Sequence, residues 1–143
     1  MHETILSILM VLKEDTDKHH PISFDRLCMR VYQTSLEEFY EGMNKDERGN
    51  CRRNVKNNLE LMRTLFEDKQ IMIMEDSEYE NYYLDWRLYY NHPLDVEMLL
   101  VLREAVDQGV DLNSADKRKL MGSLLQCTGS KEQENFINKV KNL

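Results

Sequence analysis

In the stretch NCRRNVKNNLELMRTLF, residues 50–66, the side chains Val55, Leu59, Met62 and Phe66 recur at the i, i+4, i+7, i+11 spacing of one helix face. Such a stripe needs a core to lie against, because packing of the apolar face supplies most of a helix's stability in water. The other positions are then constrained. Arg53, Asn57 and Thr64 point away from the stripe, while Arg52, Lys56 and Arg63 flank it, which gives a basic, amide-rich outer surface. Arg and Asn are the side chains suited to bidentate contacts with base edges. An ordinary amphipathic helix with solvated charges would look the same, so the neighbouring segments decide between the two.

Upstream, Ile5, Ile8, Leu9 and Leu12 form a first helical stripe with Thr4 as its N-cap, and KEDTDKHH at residues 13–20 is a polar connection. Ser23 caps a second helix with Phe24, Leu27, Cys28 and Val31 inward. Ser35 and Glu38 have capping-box spacing and open a short third helix carrying Leu36, Phe39, Tyr40 and Met43. NKDERGN, residues 44–50, reads as a turn-rich break, so that the basic helix starts directly after Gly49. Helices one, two and four then make a helix-turn-helix with an inserted segment. Downstream, Ile71 to Met74 and Tyr82, Tyr83 and Leu84 flank the acidic EDSEYEN, which predicts a two-stranded β-hairpin in the position of a wing. The loop carboxylates Glu75, Asp76, Glu78 and Glu80 would be repelled by a phosphate backbone. They lack the Gly turn and terminal ligand of a calcium loop and are read as solvated.

Residues 86–92 read as a link to a second helical region. Pro93 fits the first position of a helix and Gly109 its stop. Between them Leu94, Met98, Val101, Leu102 and Ala105 share one face, widened by Leu100 and Val106. Ser114 caps a helix with the stripe Leu120, Met121, Leu124 and Leu125, and Ser130 with Gln133 opens a last helix carrying Phe136, Ile137 and Val140. Three helices of this size enclose only a small core. The surplus apolar surface is expected to dock on a second chain, with Met98, Leu102, Met121, Leu124, Phe136, Ile137 and Val140 as the candidate dimer or partner contacts. The expected architecture is mainly α: a winged helix-turn-helix with a two-stranded β-hairpin wing over residues 1–90, followed by a small three-helix region over residues 91–143.

A net charge of −7 argues against a protein that coats nucleic acid indiscriminately, because such binding draws on Lys and Arg replacing phosphate counterions. Charge is uneven, however: residues 50–63 hold four basic side chains against Glu60, and residues 75–80 hold four carboxylates and no base. No apolar run approaches the roughly 18 residues of a membrane span, and the N-terminus lacks a basic region and a small-residue cleavage site, so a cytoplasmic protein without a membrane partner is expected. Cys28, Cys51 and Cys127 show no ligand spacing, and adjacent His19 and His20 diverge on any regular backbone, so no metal, cofactor or disulfide framework is expected. A nucleophile elbow, a phosphate-cradling Gly loop and an HExxH site are all missing, and no catalytic residue is assigned.

Taken in order, the leucine-rich first helix running into KEDTDKHHPIS, the pattern Arg52, Arg53, Val55, Leu59, Glu60 and Met62, YYLD at residues 82–85, and PLDVEMLLVLREAVDQGVDLNSADKRKLMGSL resemble the N-terminal part of the bacterial WYL-domain transcriptional regulators. The resemblance implies a winged helix-turn-helix and a helical linker. It departs at Asn57 and Asn58, where the family carries Arg-Asp, at Asn54, where it carries Thr, and in the longer connection over residues 32–50. The chain ends about where the effector domain should begin. On this reading the protein is a sequence-specific DNA-binding regulator acting as a dimer without its own effector domain. Arg53, Asn54 and Asn57 would meet base edges of double-stranded DNA, and Arg52, Lys56 and Arg63 would sit near phosphates. The alternative is an acidic protein-interaction module on the same scaffold, contacting its partner through the wing, such as a phage-encoded inhibitor or a cofactor of a nucleic-acid machine. The sign of the folded surface around the basic helix separates the two.

Overall fold

The structure is a computed structural model that describes residues 2–65, 70–74 and 82–142. It is mainly helical with one small three-stranded antiparallel sheet, and it divides into two compact units, Met1–Asn91 and His92–Leu143.

The first unit begins with α1, His2–Asp15, whose Ile8 and Leu12 are fully buried. Helix formation starts before Thr4, which therefore lies inside α1 and not at its cap. Thr16 ends the helix by donating its hydroxyl to the Leu12 carbonyl, and the same oxygen accepts the Tyr90 amide at 2.8 Å, fastening the end of α1 to the sheet. Strand β1, Ile22–Ser23, leads without a loop into α2, Phe24–Val31. Ser23 has extended backbone and its Oγ accepts the Arg26 amide at 3.3 Å, the expected N-cap. Ser35 likewise accepts the Glu38 amide, but the segment it opens closes as a π-helical turn over Glu38–Gly42. The long helix α3 then runs over Lys45–Leu65.

The sheet differs from the expected hairpin. Strand β2, Ile71–Ile73, falls where the sequence placed it, but its partner is β3, Arg87–Tyr90, while Tyr83–Asp85 forms a single 3₁₀ turn. β1 joins as a third strand, giving the order β1-β3-β2, with Ile22 opposite Leu88 and Ile73 opposite Leu88 on the other side. Alternation along β3 sends Leu88 into the core, where Ile22, Ile71, Phe24, Leu27, Val55, Leu59 and Met62 meet it. The acidic residues 75–80 and Phe66 lie outside the described residues.

In the second unit, α4, Val96–Asp107, is capped by Asp95, which accepts the Met98 amide at 2.9 Å; Pro93 precedes the helix and is not its first residue. Gly109 sits at a close approach, since a Cβ there would stand 3.1 Å from the Val106 carbonyl oxygen and 3.2 Å from Leu112. Helix α5, Ser114–Leu125, takes its cap from Asn113, one residue earlier than expected. Helix α6, Ser130–Lys141, starts at Gly129 without a side-chain cap, and Gln133 instead donates to the carbonyls of Leu125 and Thr128. Val96, Leu99 and Phe136 form the core of this unit, with Leu100, Met121, Leu124, Leu125 and Val140 packed around it. Of the apolar residues expected to face the core from α4, Leu94 and Leu100 pack against it and Val106 is buried, whereas Met98, Val101 and Ala105 are exposed.

Candidate functional site

Asn44 sets the start of α3. Its Oδ1 accepts the Glu47 amide at 2.8 Å while its Nδ2 donates to Glu47 Oε1 at 2.7 Å, a reciprocal cap that carries the helix through the stretch expected to be a break. Gly49 is tolerated inside the helix because the cap and the packing of Val55, Leu59 and Met62 exceed its cost of about 1 kcal/mol. The outer surface of α3 is formed by Asn50, Arg53, Asn57, Glu60, Leu61 and Thr64, all exposed.

The side chains singled out from sequence are not equivalent in the folded chain. Arg52 makes a bidentate pair with Asp25 of α2, Nε to Oδ1 at 2.9 Å and Nη2 to Oδ2 at 2.8 Å, and its guanidinium lies 5.5 Å from the centre of the buried Phe39 ring. Hydrogen bonding to Asp25 raises its pKa above the ordinary arginine value. The Tyr40 hydroxyl donates to the same carboxylate at 2.6 Å; burial, followed by that bond, raises its pKa too. Asn54 faces inward. Its Nδ2 donates to the Tyr32 hydroxyl at 2.6 Å and its Oδ1 accepts from buried Asn58 at 2.9 Å. Arg52 is thus engaged by Asp25, and Asn54 by Tyr32 and Asn58, where the sequence placed Arg52 near phosphates and Asn54 at base edges. Lys56 is half-buried, 3.7 Å from Glu60 Oε1 and above the Tyr83 ring, and Arg63 is half-buried. Arg53 and Asn57 remain on the outer face, with Arg53 bonded to Asn50 one turn earlier.

Three residues that sequence reasoning passed over shape this surface. Arg48, placed in the supposed break, donates to the carbonyls of Phe39, Tyr40 and Met43, each at 3.2 Å, and holds the π-helical turn against α3. Asp25 and Tyr40 complete the cluster. The capping signal at Asn44 and Glu47 could have located Arg48 on a helix; the Asp25–Arg52 pair, 27 residues apart, carried no local signal.

The consequence lies in which charges are most exposed to solvent. Residues 36–65 hold six cations and six carboxylates. All six carboxylates, Glu37, Glu38, Glu41, Asp46, Glu47 and Glu60, are exposed, whereas only Lys45 and Arg53 of the cations are. Across the first unit 12 Lys and Arg face 18 Asp and Glu, so it carries −6 of the chain's −7.

No protein-family model, curated protein or solved structure matches this chain.

Of the expected partner contacts, Phe136 is core, and Met121, Leu124 and Val140 pack against it inside the unit. Those four are spent on folding. Met98 and Ile137 are exposed, and Leu102 lines a shallow apolar hollow with Leu94, Met98 and Val101. Near the end of α1, His20 Nδ1 stands 2.8 Å from Asp17 Oδ1, which also accepts the His19 amide, so this cluster closes a turn. Among the described residues no helix is long and apolar enough to cross a membrane.

Proposed function

We propose that this protein is an interaction module that docks on a basic, nucleic-acid-binding surface of another protein, through α3 and the π-helical turn before it. The observation that carries the reading is the exposure of six carboxylates against two cations over residues 36–65. A duplex is bound by cations that displace its counterions, and here Arg48 and Arg52 are drawn inward by carbonyls and by Asp25. An acidic surface of this kind is complementary to the channel that a nucleic-acid-binding protein offers its own ligand, and would compete with that ligand. The order of three helices and a β1-β3-β2 sheet supports a winged-helix scaffold beneath it.

Affinity capture from a cell extract tests this, with the wild-type chain beside Glu37→Lys/Glu41→Lys. A specific protein retained by the wild type, released by heparin and lost in the double variant is expected. Retention indifferent to charge reversal, or none at all, overturns the reading.

One observation favours a second reading, the dimeric DNA-binding regulator. Asn50, Arg53 and Asn57 form a continuous exposed row of amide and guanidinium groups on α3, and the resemblance to WYL-domain regulators supports the same role. Titration of the protein's own upstream duplex decides: binding tighter than about 1 μM that falls steeply with salt and is lost in Arg53→Ala would establish it over the first.

A further inference from the structure

Over residues 36–41 two apolar side chains stand among carboxylates. Leu36 is 65% exposed and Tyr40, one turn on, is 41% exposed, and Glu37, Glu38 and Glu41 beside them are all exposed. The Tyr40 ring is fixed in place. Its hydroxyl donates to Asp25, its ring meets that of buried Phe39 edge-on with centroids 5.1 Å apart, and the Arg48 guanidinium lies 5.9 Å from its centre. We propose, resting on the acidic docking reading, that the partner's channel is one that takes single-stranded nucleic acid, with aromatic side chains set between its cations.

Charge selects a basic partner, and the apolar pair selects among basic partners. A duplex keeps its bases stacked inside, so a surface built for it meets mainly phosphate oxygens and sugars with charged and polar side chains. A single strand exposes its bases, and the channels that hold one combine cations for the backbone with aromatic side chains on which the bases stack. Residues 36–41 answer the second kind of surface. The carboxylates of Glu37, Glu38 and Glu41 take the part of phosphates, and Leu36 and the Tyr40 ring take the part of bases. Against a duplex-binding groove the same two side chains would lie on hydrated cations, which is unfavourable for both. The way Tyr40 is held agrees with contact through its ring. Asp25, Phe39 and Arg48 already order it, so little conformational freedom is lost on binding, as for a preorganised aromatic anchor at the centre of an interface. Leu36 lies outside the hydrophobic core of its unit, which leaves it available to a partner. The pair adds to an electrostatic contact a part that salt does not screen.

Two fluorescein-labelled peptides, three repeats of Lys-Trp-Arg-Gly and three of Lys-Ser-Arg-Gly, test the proposal by anisotropy titration with the full chain. They carry the same charge, and only the first carries stacking rings. The Trp peptide should bind about tenfold tighter than the Ser peptide, and this advantage should persist as salt is raised. In Leu36→Ser, at a position outside the core, the advantage should fall below about threefold with unchanged circular dichroism. Glu37→Lys/Glu41→Lys should weaken both peptides at least about tenfold. Equal affinity for the two peptides, or a Trp advantage that Leu36→Ser leaves intact, overturns the single-strand assignment, while weakening by charge reversal would still uphold the acidic dock. Binding indifferent to charge reversal, or no binding of either peptide, overturns the docking reading and this inference together.

Discussion

Removing the carboxylate of Asp25 should destabilise the first unit out of proportion to an exposed ion pair. An isolated surface pair contributes about 0–1 kcal/mol. Here one carboxylate receives three bonds, two from Arg52 and one from Tyr40, and the Arg52 and Asp25 side chains are only 23% and 22% exposed. Asp25→Ala removes all three and leaves a largely covered guanidinium without its counter-charge. A charge-assisted bond contributes about 1.5–3 kcal/mol when buried; discounted for the remaining solvent access, the expected loss is about 2 kcal/mol. Tyr40→Phe removes one bond at a more exposed site, for about 1 kcal/mol. Because the Tyr40 hydroxyl loses its acceptor in Asp25→Ala, the double variant should be barely less stable than Asp25→Ala alone, a coupling of about 1 kcal/mol. Urea unfolding followed by far-ultraviolet circular dichroism measures all four proteins. A loss below about 0.5 kcal/mol for Asp25→Ala, or additive single losses, would refute the reasoning.

Stability should fall as pH rises above about 9. Burial, then nearby Asp25, holds the Cys28 thiol far above its ordinary value, so the unfolded chain gives up this proton first and stability is lost by up to about 1.4 kcal/mol per pH unit until the folded thiol also ionises. Urea midpoints at pH 8 to 10.5 under reducing conditions should show this slope, reduced in Cys28→Ala. Leu59, fully buried on α3, should cost about 3 kcal/mol as Leu59→Ala; a change under 1 kcal/mol in the same assay would contradict the packing of α3. Gly49→Ala should stabilise by about 0.5–1 kcal/mol, since the new Cβ meets nothing nearer than Arg53 Nη2 at 3.9 Å; destabilisation would mean that residue 49 is not helical.

Local patterns in the sequence were enough for the apolar stripes of α1, α2 and α3, the Ser23 and Ser35 caps, and strand β2. They failed where distant residues choose between two local possibilities. Gly49 and its polar neighbours resemble a turn, yet the Asn44 cap and the three carbonyl bonds of Arg48 keep them helical. Both residues 82–84 and residues 87–90 could make a strand; the second wins because Leu88 can be shared by Ile22 and Ile73. On α4 the helical period marks two apolar sides without saying which meets Phe136. At the candidate site, the outward position of Arg53 and Asn57 was legible from periodicity. The neutralisation of Arg52 was not, because Asp25 reaches it only once α2 and α3 have packed.

Ser23 serves two elements at once: it pairs with Arg87 in the sheet and caps α2, while the next amide, of Phe24, donates to the Trp86 carbonyl at 2.9 Å. No residue between strand and helix is left to act as a hinge. Opening the sheet at β1 therefore unwinds the first turn of α2, and melting α2 releases the sheet edge. In amide hydrogen exchange the two should behave as one cooperative unit, with Phe24, Arg26 and Leu88 sharing a single opening free energy even as other segments fluctuate separately.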